Sequence, residues 1–76
     1  MRITAYRFQS DDELPTEDID YYHLIHAGRD EETGKYKYHR NTNYLTPEYI
    51  ELLKERVGLE FVERMNYEVS NLPKIS

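Results

Sequence analysis

Cysteine is absent from this chain of 76 residues, and so is tryptophan. With no cysteine there is no disulfide framework and no thiolate to complete a tight zinc site. Glycine and proline are scarce, at three each, so breaks in regular structure are confined to a few places. No run of 18 apolar residues occurs, which excludes a transmembrane helix. Residues 1–8 lack the apolar core of a signal peptide. The length allows one small domain, 1–76. A chain this short buries only about 60–65% of its unfolded surface, so a dimer or a partner is expected to add stability. A net charge of −5 argues against a general nucleic-acid-binding surface. The expectation is a soluble, acidic, cytosolic domain.

What is abundant is tyrosine and acid. Tyrosine supplies eight of the ten aromatic residues. Its apolar body and polar tip suit half-buried strands and interfaces alike. The acids are uneven. Residues 1–38 hold nine acids against five bases, and residues 39–76 hold six against five. No Lys or Arg lies between Arg7 and Arg29, a stretch with Asp11, Asp12, Glu13, Glu17, Asp18 and Asp20. An acidic face is expected from the N-terminal half. It is either a solvated surface or one that attracts a basic partner.

Patterning predicts an α+β fold. Residues 2–8 mix β-branched and aromatic side chains and read as a strand. Residues 9–19, with Pro15, read as an acidic loop. Strands are expected at 20–27 and 35–40, joined as a hairpin across the charged turn from Gly28 to Gly34. In the second of these, Tyr36 and Tyr38 alternate with Lys35, Lys37 and His39. A helix is expected over 46–57. Thr46 suits its N-cap, Pro47 its first position and Gly58 its end. Its apolar residues Tyr49, Ile50, Leu52, Leu53 and Val57 span an arc of about 160°. Residues 59–69 fit a further strand or a helix. Residues 70–76 read as a tail.

The constellations that carry chemistry are missing. Gly28 to Lys35 superficially suggests a phosphate loop. Its glycine spacing is wrong, Tyr36 stands where Ser or Thr must hold magnesium, and Asp30, Glu31 and Glu32 repel phosphate. On a strand, His23 and His26 point to opposite faces and do not converge on a metal. No nucleophile elbow or zincin pattern occurs, and a domain this small has little interior for a substrate pocket. No cofactor, metal or catalytic residue is expected, and the chain reads as a recognition protein.

Two segments carry a resemblance. The run Gly34-Lys35-Tyr36-Lys37-Tyr38-His39-Arg40 is followed by Tyr44-Leu45-Thr46-Pro47-Glu48-Tyr49. Together they resemble the small uracil-DNA glycosylase inhibitors of Bacillus phages. That family has an acidic turn, a tyrosine-rich strand ending in Tyr-His-basic, and a helix opening on an acid and an aromatic. Here Asp30, Glu31 and Glu32 match the acidic turn, and Glu48 and Tyr49 match the acid and the aromatic. The similarity spans residues 20–60. It departs from the family's pattern in having Tyr49 for phenylalanine, Ile50 where a glutamate follows, and Pro47 as an extra residue.

The resemblance implies a homodimer built on a three-stranded antiparallel sheet and one helix. It implies a protein that mimics DNA, occupies the enzyme's DNA-binding cleft and encloses a protruding apolar side chain. Tyr49 would then line that recess, with Ile50 and Leu53 beside it, and Glu48 and Glu51 would stand in for phosphates. The expected function is a non-enzymatic inhibitor of host uracil-DNA glycosylase in the cytoplasm of an infected bacterium. The alternatives are an inhibitor of another basic DNA-binding protein (a nucleoid protein, a polymerase or a defence nuclease) and a small acidic interaction module without DNA mimicry. Neither direct nucleic-acid binding nor a membrane is expected.

Overall fold

The computed structural model describes residues 2–68, so the tail expected over 70–76 lies outside the described residues. The chain runs through β1 (Arg2–Ser10), α1 (Thr16–Tyr21), β2 (Ile25–Arg29), β3 (Tyr36–Asn41), α2 (Pro47–Val57) and β4 (Glu60–Glu68). The four strands make one antiparallel sheet in the order β2-β3-β1-β4. The small α+β fold is therefore the expected class, with an additional helix. Among the described residues no helix is long and apolar enough to cross a membrane.

The period of two along β1 builds the core. Tyr6 and Phe8 are buried on one face, where Phe8 lies opposite Tyr38 of β3. Phe61 of β4 meets Phe8 edge-on, with ring centroids 5.7 Å apart. Tyr38 is only 1% exposed, and its hydroxyl accepts the backbone N–H of Leu14 at 2.9 Å. That bond lets a tyrosine occupy the centre of the core without an unpaired polar atom. Leu14, Tyr22, Leu24, Leu45, Leu53 and Leu59 complete the cluster. The opposite face is tied by polar pairs: Arg7 with Glu63, Gln9 with Glu60, and Tyr67 with Asn41.

The helix α2 forms as its sequence requires. The Thr46 hydroxyl accepts the N–H of Tyr49 at 3.1 Å, Pro47 opens the first turn, and Gly58 ends the helix at φ 72°. The Gly58 N–H returns to the Lys54 carbonyl at 3.1 Å.

Two expectations need correction. Residues 9–19 are not one loop, because β1 runs through Ser10 and α1 begins at Thr16. Nor is 20–27 a strand. Its first two residues end α1, and β2 starts only at Ile25. Glu17 and Asp18 favour the positive end of α1. The end of α1 is a Schellman turn. The N–H of His23 reaches the Asp20 carbonyl at 3.2 Å, and the N–H of Leu24 reaches the Ile19 carbonyl at 2.8 Å. Burial of Tyr22 and Leu24 in the core outweighs the strand propensity of Tyr21-Tyr22-His23.

The ambiguity over 59–69 is settled in favour of a strand, with Val69 outside the described residues. β4 pairs with the second edge of β1, and its register shifts between Arg7 and Phe8. The shift leaves Val62 as an extra residue, a β-bulge. Phe61 can then meet Phe8 while Glu63 meets Arg7 on the other face. This bulge is why Glu63 spoils a strict alternation.

Candidate functional site

An open groove of about 520 Å³ lies between the C-terminal end of α1 and one side of α2. Tyr21, Tyr22 and His23 form one wall, and Tyr49, Leu52 and Arg56 form the other. The latter three recur at i, i+3 and i+7, which places them in one stripe along α2. The segment before α2 adds Tyr44, Leu45 and Thr46.

Arg40 of β3 links the two walls. Its Nη1 donates to the Tyr22 carbonyl at 3.4 Å and to the Tyr49 hydroxyl at 2.9 Å. Its guanidinium also lies 5.2 Å from the centre of the Tyr49 ring. Arg40 follows Tyr36 and Tyr38 at a period of two, so strand geometry turns it to the same face as the core tyrosines. Tyr49 is thus half-buried and braced.

His23 lines the groove in a left-handed backbone conformation, φ 56°, the only non-glycine residue with positive φ among those described. The Schellman turn holds it there. Histidine tolerates this region better than most side chains, at a cost glycine avoids. The two exposed tyrosines also belong to this site, Tyr21 at 74% and Tyr44 at 65% exposed.

The structure separates the residues singled out from the sequence. Glu48 and Glu51 are exposed on α2. Ile50 is half-buried against the core and does not line the groove. Leu53, expected beside Tyr49 in a recess, is 0% exposed and belongs to the core. Leu52 takes that place, because the helical turn carries Leu53 inward when Tyr49 faces the groove.

The acidic turn sits elsewhere. It precedes β3 at Tyr36, while Tyr49 meets Arg40, so about 13 Å of strand separates the two regions. Asp30 there accepts the N–H groups of Glu32 at 2.8 Å and Thr33 at 3.3 Å. Those bonds hold its carboxyl below the usual carboxylate range and use it to shape the turn. Glu31 and Glu32 are exposed.

The three histidines go to three places. His23 lies in the groove, and His26 packs 5.1 Å from the Tyr38 ring. His39 pairs with Arg7 across β3 and β1. Its pKa is lowered, first by burial and then by the charge of Arg7. Among the described residues no three His, Cys, Asp or Glu side chains are grouped to hold a metal ion.

Comparison with known proteins brings no match: no family model, no curated protein and no solved structure is similar to this chain.

Sequence reasoning missed Tyr21, Tyr22, His23, Arg40, Tyr44, Leu45, Leu52 and Arg56 as neighbours. Two signals were available. The i, i+3, i+7 spacing joins Tyr49, Leu52 and Arg56, and the period of two carries the tyrosine face of β3 on to Arg40. Nothing local in the sequence brings α1 beside them.

Proposed function

We propose that this protein is a non-enzymatic, acidic inhibitor that occupies the DNA-binding cleft of a host uracil-DNA glycosylase, acting as a homodimer in the cytoplasm of an infected bacterium. The observation that carries the reading is the groove around Tyr49 with exposed carboxylates on the two helices that flank it. Glu48 and Glu51 lie on α2, and Glu17 and Asp20 lie on α1. A cleft built for DNA presents Lys and Arg to phosphates, and carboxylates meet the same cations. The ring of Tyr49, with Leu52 and Leu45, offers apolar surface to a protruding side chain of the enzyme. The hairpin–helix resemblance supplies the target. The homodimer would pair through the sheet face opposite the core, where Ile3, Ile25, Met65 and Tyr67 lie among the polar pairs.

The test is uracil excision from a labelled oligonucleotide by a bacterial uracil-DNA glycosylase, titrated with this protein. Stoichiometric inhibition is expected, weakening as salt rises. Tyr49→Ala should lose about 2 kcal/mol of binding, roughly 30-fold. Absence of inhibition by the folded protein would refute the target.

A second reading keeps the DNA-cleft mechanism with another basic DNA-binding protein. The exposed acids Asp11, Asp12 and Glu13, which precede α1 and are far from Tyr49 in sequence, favour it. Charge reversal there would then weaken binding more than Tyr49→Ala does.

A further inference from the structure

The groove differs in charge from the rest of the molecule. The chain has 15 acids, yet none lines the groove, which holds Arg40, Arg56 and His23 instead. Arg40 engages its neighbours through Nη1, which leaves the rest of its donor fork for an incoming oxygen. Arg56 is exposed on the facing wall. Two guanidinium groups beside one opening suit a phosphate, which accepts their N–H groups in parallel pairs.

The aromatic lining narrows the ligand further. Tyr21 and Tyr44 are open to solvent and bury little of their rings against the protein. A base laid on such a ring gains stacking with no need for hydrogen-bond readout. The groove's volume, about 520 Å³, lies within the range that takes a small ligand. We propose that this groove binds a nucleoside monophosphate, its phosphate on Arg56 and Arg40 and its base against Tyr44 or Tyr21. The exposed carboxylates of Asp20 and Glu48 flank the groove without lining it, and the acids beyond about 8 Å are screened at physiological salt. The inference stands independently of the inhibitory role.

The test is an NMR titration of the intact, isotope-labelled protein with AMP and with UMP. Parallel arms contain adenosine, inorganic phosphate, a short single-stranded oligonucleotide and a tyrosine-phosphorylated peptide. Either nucleotide should shift the amides of Tyr22, His23, Tyr44 and Thr46. Adenosine or phosphate alone should leave them nearly unmoved at the same concentration. Arg56→Ala and Tyr44→Ala should each weaken nucleotide binding about tenfold. Both side chains are exposed, so the variants should keep the wild-type circular dichroism spectrum. Tighter binding of the oligonucleotide than of AMP would identify a strand of nucleic acid as the source. Equal binding would identify the free nucleotide. Unmoved groove amides, an equal response to inorganic phosphate, wild-type affinity in both variants, or tighter binding of the phosphopeptide would each overturn the proposal.

Discussion

The two helices border the same groove but depend on different physics. α2 has eleven residues, a threonine hydroxyl at its start and a glycine at its end. α1 has six residues, no side-chain cap, no buried residue of its own and a histidine in the left-handed position that closes it. A helix of six residues is far below the roughly 12–15 needed for marginal stability in water. α2 is written largely in its own sequence, whereas α1 exists because Tyr22 and Leu24, just beyond it, are anchored in the core. One wall of the groove is self-supporting and the other is held from outside.

The sharpest way to separate them is by truncation. Leu53→Ala removes a fully buried side chain from α2 and should cost about 3 kcal/mol in chemical denaturation. Ile19→Ala removes a half-buried one from α1 and should cost roughly 1 kcal/mol. Equal losses would break the contrast. Next in size are the caps. Thr46→Ala should destabilise by about 1 kcal/mol, since the Tyr49 N–H loses its side-chain acceptor and keeps only the Thr46 carbonyl at 3.0 Å.

The helix ends provide a test of opposite sign. His23→Gly removes a left-handed strain and should raise stability by about 0.5–1 kcal/mol. Gly58→Ala introduces that strain, with nothing within 4 Å of the added Cβ, and should lower stability by about 1 kcal/mol. A destabilised His23→Gly would mean that the histidine ring itself holds the α1 wall.

The smallest effect is one of pH, and it bypasses both helices. His39 lies on β3 with its pKa lowered by burial and by Arg7. The unfolded chain therefore takes up the proton first as pH falls through about 6.5, and stability falls with it. His39→Gln should flatten this part of the dependence when denaturation midpoints at pH 7.5 and 5.5 are compared. An unchanged slope would mean that other groups set it.

What the sequence determined by itself is what local chemistry can specify. Thr46, Pro47 and Gly58 bound α2 because capping and left-handed glycine act within one turn. Tyr36 and Tyr38 share a face because a strand has a period of two. An amphipathic α2 beside a tyrosine-rich hairpin was legible for the same reason, and so was Tyr49 as a residue of interest. Tertiary structure decided the rest. Residues 60–68 satisfy a helical pattern as well as a strand, and the free edge of β1 selects the strand and its bulge at Val62. Tyr21, Tyr22 and His23 have strand propensities, yet burial of Tyr22 and Leu24 makes them a helix end. Arg40 reaches Tyr22 and Tyr49 across 18 and nine residues of chain. No local propensity encodes such a meeting, because it exists only once both helices have packed on the same sheet.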